Sequence, residues 1–246
     1  MKIDTHTHFL PKKNSAPDWK IIQFYFQVAR HHDLNVICFT EHLDADFYEN
    51  VLNSIFEENC FSGEILNDGL IRLPNSLLLS SGTEISLAGG ADVGLHAKPS
   101  VIKKLNKTKG FYTLDFLAEE LETLDSNYIL VAHHLFRTGK WIDNIDKKSA
   151  LIDAIELPPK DITQESKYRE LSLETGKPFV AGSDSHTWLQ LGVGATYVDE
   201  LNFDGNNFNL KEFKQLINRK MVEPVVSSDA LSQVELSTLY RMEFLA

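Results

Sequence analysis

Short apolar runs alternate with longer amphipathic stretches along nearly the whole chain, and this alternation constrains the fold more than any other feature. Lys2–Thr5, Asn35–Thr40, Ser76–Ser81, Val93–Ala97, Tyr128–Ala132, Ala154–Leu157, Pro178–Ala181, Ala195–Val198 and Pro224–Val226 read as strands. Between them, Asp18–His32, Ala45–Glu58, a stretch from a Thr113 cap through Leu124, Ile145–Ile152, Gln164–Thr175 (closed by Gly176) and Leu210–Asn218 read as helices. Ile21, Ile22, Phe24, Tyr25, Val28 and Ala29 form the apolar face of the first helix, and Phe116, Leu117, Leu121 and Leu124 that of the third. Strands alternating with helices predict an α/β protein with a largely parallel sheet. About seven such units point to a closed or nearly closed barrel, with an open doubly wound sheet as the alternative.

A length of 246 residues suits one domain, 1–246, with a core over 1–228 and a C-terminal helix at 229–246 packed outside. Hydrophobic residues make up 43% of the chain, enough for a core without disulfides. Cys38 and Cys60 are too few for a disulfide framework, and Cys38 lies in the apolar run Val36-Ile37-Cys38-Phe39. This usage fits a reducing, cytoplasmic setting. Met1-Lys2-Ile3-Asp4 is already strand-like and no signal peptide is expected; no apolar run is long enough to span a membrane. A formal charge of −11 argues against an extended nucleic-acid surface, though not against a short nucleic acid held by metal ions. Oligomeric state is not legible.

Residues that could bind metal gather where the proposed strands end. The first runs into Asp4-Thr5-His6-Thr7-His8, the second into Thr40-Glu41-His42, the third into Gly82-Thr83-Glu84. The fourth carries His96, the fifth ends in His133-His134, and Pro178–Ala181 leads into Gly182-Ser183-Asp184-Ser185-His186. In α/β barrels the strand C-termini share one mouth, where active sites are built. Residues two apart on an extended segment face the same way, so His6 and His8 can share one ion, as can Asp184 and His186. His134 is expected to face away from His133, and His31 and His32 to lie on the surface at a helix end. Imidazole and carboxylate donors without nearby cysteine suit catalytic zinc, manganese or iron rather than a closed structural zinc.

In their order along the chain, these motifs resemble the polymerase and histidinol phosphatase (PHP) family. Gly192-Val193-Gly194-Ala195-Thr196 and the segment from Arg219 to Val225 are similar to the closing part of such a domain, and the resemblance spans about residues 1–228. It implies a distorted (β/α)7 barrel with a cluster of two or three divalent ions at the C-terminal ends of the strands. His6, His8 and Asp184 would bind the first ion, Glu84 would bridge the first and second, and His96 and His133 would complete the second. His42 and His186 would bind a third. Many members place another His or Asp shortly after the first HxH; here that segment is Phe9 to Asp18, with Asp18 or Glu41 as substitutes.

The activity implied is hydrolysis of a phosphate ester, a small phosphomonoester or a nucleotide or oligonucleotide, by a water bridged between two cations. Asp184 would accept its proton while ligating metal, and His186 or His42 would protonate the leaving oxygen if the third metal is absent. Arg137 is the best candidate phosphate clamp, ahead of Lys140 and Lys98. Trp188 and Trp141 are placed to line the mouth or to pack in the core. The alternatives are an amidohydrolase-type C–N hydrolase and a non-catalytic, metal-stabilised module acting with a partner protein.

Overall fold

The structure is a computed structural model that describes residues 1–199 and 208–245. From the N-terminus run β1 (Lys2–Thr7), α1 (Trp19–His31), β2 (Val36–Phe39), α2 (Tyr48–Phe56), β3 (Glu64–Asn67) and β4 (Leu70–Arg72). There follow β5 (Leu78–Ser86), β6 (Asp92–His96), α3 (Pro99–Ile102), α4 (Leu114–Leu124), β7 (Ile129–His133), α5 (Ile145–Lys148) and β8 (Ala154–Glu156). A 3-10 turn at Pro159–Gln164 leads into α6 (Glu165–Thr175), β9 (Phe179–Val180), β10 (Gly194–Val198), α7 (Leu210–Asn218), β11 (Val222–Val226) and α8 (Ala230–Phe244).

The strands form one sheet in the order β11-β10-β1-β2-β5-β6-β7-β8-β9. It curls into a nearly closed barrel. Residues that follow β9 return to β1: Asp184 N–H donates to the His6 carbonyl at 2.8 Å and His8 N–H to the Ser185 carbonyl at 2.9 Å. The Asp4 carboxylate accepts from Ser183 N–H at 2.8 Å across the same seam. β1, β2 and β5 are parallel, as are β7, β8 and β9.

The expectation of one direction for the fourth strand is corrected. β6 is antiparallel to both β5 and β7. The link from β5 to β6 is a tight turn through Gly89 and Gly90, both at positive φ, and is too short for a parallel crossover. The short hairpin β3–β4, which pairs with β5, was not legible as strand. The apolar face of α1 is also shifted: Ile22, Tyr25, Phe26 and Ala29 are buried, whereas Ile21 and Phe24 are exposed. On α4, capped by the Thr113 hydroxyl, Phe116 faces solvent while Leu114, Leu117 and Leu121 face inward.

Two apolar layers result. One packs helices against the outer face of the sheet, with Phe39, Leu79, Leu95, Leu130 and Ile155 meeting Tyr25, Leu52, Leu117 and Tyr168. The other fills the barrel with Ile3, Val36, Cys38, Leu78, Val131, Ala154 and Val180, closed from below by Phe213, Leu216 and Ile217 of α7. Strand side chains alternate faces, so the rows that begin in this inner core end at the mouth. The row of Ile129 and Val131 ends in His133, that of Ala154 in Glu156, and that of Leu78 reaches Glu84. On β1 a register shift between Asp4 and Thr7 interrupts the row that begins at Ile3. α8 lies beside the mouth, with Ser237 hydroxyl-bonded to Thr187 and Arg241 donating to the Pro11 carbonyl at 2.8 Å. No described helix is long and apolar enough to cross a membrane.

Candidate metal centre

Each histidine of the first motif is held from behind by a carboxylate. His6 Nδ1 lies 2.7 Å from Glu156 Oε1, and His8 Nδ1 lies 3.1 Å from Glu41 Oε1. Nδ1–H donation to these acceptors leaves the Nε2 lone pairs pointing into the site. The two Nε2 atoms are 3.0 Å apart. Two facing lone pairs at that distance repel unless a proton or a cation lies between them. Two nitrogens bound tetrahedrally to one zinc at ~2.0–2.1 Å would sit ~3.3 Å apart, so the spacing fits a shared ion. Asp184 Oδ1 completes this group at 3.5 Å from His8 Nε2 and 3.8 Å from His6 Nε2.

Glu84 is the hub of the second group. Its Oε1 lies 2.9 Å from His133 Nδ1 and 3.1 Å from His134 Nε2, and 3.4 Å from His6 Nε2. Its Oε2 approaches His42 Nδ1 to 2.8 Å, without the alignment of a hydrogen bond. Among the described residues, four sets of ligand atoms lie within 4.8 Å of one another: His6, His8 and Asp184; Glu84, His133 and His134; His8, His42 and His186; His6, His133 and Glu156. Buried unaligned donors, facing lone pairs and nitrogen–oxygen composition together fit divalent cations.

Electrostatics point the same way. Burial works against the charge on Glu84, but His6, His42 and the hydrogen bonds of His133 and His134 hold its carboxyl well below the ordinary range. Burial likewise opposes the charge on Asp184, and Lys160 and Arg137 outweigh it. Glu156, buried but surrounded by His6 and His133, is pulled down to about 2. Burial resists protonation of His8, yet Glu41, Asp184 and Glu84 together raise it to about 10. Burial and the neighbouring cations His8, Lys160 and Arg241 push His186 well below its usual value. The pocket therefore holds ionised carboxylates facing imidazoles and cations.

Local backbone geometry makes this convergence possible. His134 and Asp184 both adopt the left-handed region, at φ of 33° and 49°. Such positions cost about 1–3 kcal/mol each in non-glycine residues and persist where surrounding bonds hold them. At His134 the turn breaks the two-residue alternation and brings the ring back to Glu84. Gly182 has no room for a Cβ, which would sit 2.4 Å from His6 N, so glycine lets the Asp184 segment close on β1. Gly94 lies flat beneath His133, where a Cβ would fall 2.2 Å from Nε2.

The structure brings together His6, His8, His42, Glu84, His133, Asp184 and His186. It does not bring in His96. Because β6 runs antiparallel, His96 pairs with Gly82 and Ile129, deeper in the barrel than Glu84 and His133. Both its ring nitrogens are buried without a partner, and burial, reinforced by His133 and His6, depresses it to about 3. Asp18 caps α1, its carboxylate accepting from Lys20 and Ile21 N–H. Glu41 faces the cavity but is engaged by His8 and by the N–H groups of Phe9, Leu10 and His42.

Among the cations, Arg137 Nη1 donates to Asp184 Oδ2 at 2.9 Å. Lys98 instead pairs with Asp125, and Lys140 with Asp92. Trp188 packs edge-on against Phe24, and Trp141 lies against Phe136. Three residues escaped the sequence reading. His134 was placed on the wrong face by assuming regular alternation. Glu156 was passed over inside its strand, although it is the last inward position of β8. Lys160 follows in the Pro-Pro-Lys turn and donates to the same Asp184 oxygen at 2.8 Å.

The PHP-associated family matches residues 165–218, the stretch that contains Asp184 and His186. No curated protein matches the chain. Among solved structures, PsfC from Pseudomonas syringae PB-5123 superposes with a TM-score of 0.87 at 29% identity, covering 98% of this chain and 97% of that one. The lesion-specific endonuclease PfuEndoQ from Pyrococcus furiosus superposes with a TM-score of 0.60 at 17% identity. That match covers 89% of this chain and 56% of the endonuclease, and shows a shared fold. The matched segment and the nearly closed barrel agree with the resemblance to the polymerase and histidinol phosphatase family that the ordered ligand motifs carry.

Proposed function

We propose that the chain is a metal-dependent phosphoesterase that hydrolyses a small phosphomonoester or a nucleotide. The observation that carries this reading is the gathering of four overlapping ligand groups, one containing Glu84 and one Asp184, with Arg137 donating to Asp184. His6, His8 and Asp184 would hold one divalent ion; Glu84, His133 and His134 a second; His42 and His186, with His8, a third. Zinc, manganese and iron all suit such donors. Bound there, the ions supply Lewis acidity and an activated water.

The chain's own groups do the rest. Glu41 and Glu156 fix the tautomers of His8 and His6 so that both Nε2 atoms face the reacting centre. Glu84 and Asp184, held ionised, keep the cluster charged at neutral pH. Arg137 faces the mouth with a guanidinium suited to two phosphate oxygens. His42, partly exposed, would protonate a leaving oxygen where the third ion is absent, while His186, held well below its usual value, offers a neutral imidazole. Positioning and charge neutralisation are what phosphoryl transfer chiefly asks of a protein.

The test is turnover of an aryl phosphomonoester and of the matching phosphodiester, after loading with manganese, zinc or iron, beside the His6→Ala/His8→Ala double variant. Turnover abolished in the variant is the expected result. Full metal content with no turnover of either ester, or turnover that survives the double substitution, overturns the reading.

A further inference from the structure

We infer that Lys160, together with Arg137, forms the binding site for a terminal, dianionic phosphoryl group, and that Lys160 is what favours such a group over a diester. This rests on the phosphoesterase reading for its place at the mouth, but not for its chemistry. Lys160 Nζ and Arg137 Nη1 meet on one atom, Asp184 Oδ2, at 2.8 and 2.9 Å. The opposite oxygen, Oδ1, is the one that faces His6 and His8. Asp184 therefore separates the ligand cluster on one side from two cations on the other.

Both cations keep unused donors. Among the described residues Arg137 Nη2 is buried with no hydrogen-bond partner, a situation that costs about 1–3 kcal/mol unless an acceptor arrives. An ammonium has three N–H groups, and Lys160 uses them only on Asp184, on Oδ2 and at 3.4 Å on the main-chain carbonyl. The two cations are not equivalent. Arg137 is already shared, since its Nε lies 3.5 Å from Asp161. Among the described residues, Lys160 has no carboxylate partner but Asp184. At this edge Arg137 is thus shared between the carboxylates of Asp184 and Asp161, whereas Lys160 faces Asp184 alone.

Two nitrogens that share one carboxylate oxygen are close enough to grip different oxygens of one tetrahedral phosphoryl group. A terminal phosphoryl group offers three non-bridging oxygens and two negative charges. One oxygen can face the ligand cluster while the others take Arg137 and Lys160. A diester has only two such oxygens and one charge, so one donor is left unpaired. Lys160 sits on the 3-10 turn that follows β8, whose last residue, Glu156, orients His6. The anion site and the ligand cluster are therefore built on the same stave.

The experiment is calorimetric binding of inorganic phosphate and of dimethyl phosphate to the manganese-loaded protein, with metal content measured on every sample. Lys160→Met is expected to weaken phosphate about 10- to 100-fold, the range for a hydrogen bond to a charged group, and to leave dimethyl phosphate within about twofold. Lys160→Arg should retain most of the phosphate affinity, and metal content should not change. Equal weakening of both anions, unchanged phosphate binding in Lys160→Met, or metal lost in step with phosphate would overturn the assignment; the last would make Lys160 a positioning residue for Asp184. Selective phosphate binding through Lys160 in a protein that turns over neither aryl ester would uphold the anion site while removing the phosphoesterase reading.

Discussion

His133 and His96 are both 1% exposed, both on strands of the same barrel and both on rows that face its interior. His133 meets Glu84 at 2.9 Å and stacks on His6 with ring centroids 3.8 Å apart. His96 has no partner for either nitrogen. The difference comes from strand direction. β7 runs toward the mouth and delivers its last residue into the cluster, whereas β6 runs away from it and delivers its last residue into the floor. Burial of a histidine therefore says little about ligation; the direction of its strand and the groups it meets decide.

If the mouth is built around Glu84, Glu84→Gln should give the largest effect. One carboxylate faces five imidazoles, and its loss removes both a ligand and the charge that balances them. Metal affinity is expected to fall by more than about 100-fold, beyond what loss of an outer carboxylate gives. Metal content by elemental analysis after dialysis measures it, and retention of the full complement would break the comparison at its centre. Glu156→Gln should follow, at about 10- to 100-fold, because an amide no longer fixes the His6 tautomer. A pH-independent, wild-type affinity in that variant would reduce Glu156 to a spectator.

Gly94→Ala tests the floor between the two histidines. The added methyl would meet the His133 ring, so the ring or the strand must move. Destabilisation of about 1–3 kcal/mol, the usual cost of overpacking, should accompany weaker metal binding. Thermal melting of the metal-free and metal-loaded forms separates the two effects. A variant as stable and as avid as the parent would mean that His133 is not confined as its geometry suggests.

Most of the fold was legible because hydrophobic alternation is a local signal. The gathering of His and carboxylate side chains at the mouth was legible for the same reason: an inward row that starts apolar and finishes in His or Glu is readable residue by residue. What escaped depends on non-local pairing or on one dihedral angle. The direction of β6 is fixed by the hairpin through Gly89 and Gly90, and His96 was misplaced with it. His134 enters the site through a left-handed backbone that no spacing rule anticipates. Lys160 lies in a turn, where only the fold shows that it reaches Asp184.

His96→Leu carries the smallest expected effect and the sharpest reading of the comparison. An imidazole with two unsatisfied nitrogens carries a desolvation cost that an apolar side chain of similar size lacks. Buried among the barrel's inner residues, Leu at this position should leave stability unchanged or raise it by about 1 kcal/mol. Metal content and turnover should match the parent. The measurements are a melting curve and metal analysis on the same preparation. If metal is lost while the melting curve is unchanged, His96 reaches the cluster after all, and the antiparallel strand does not exclude it. If stability rises with metal intact, His133 and His96 differ as the fold says: one histidine is placed by a strand that ends at the mouth, the other by a strand that starts there.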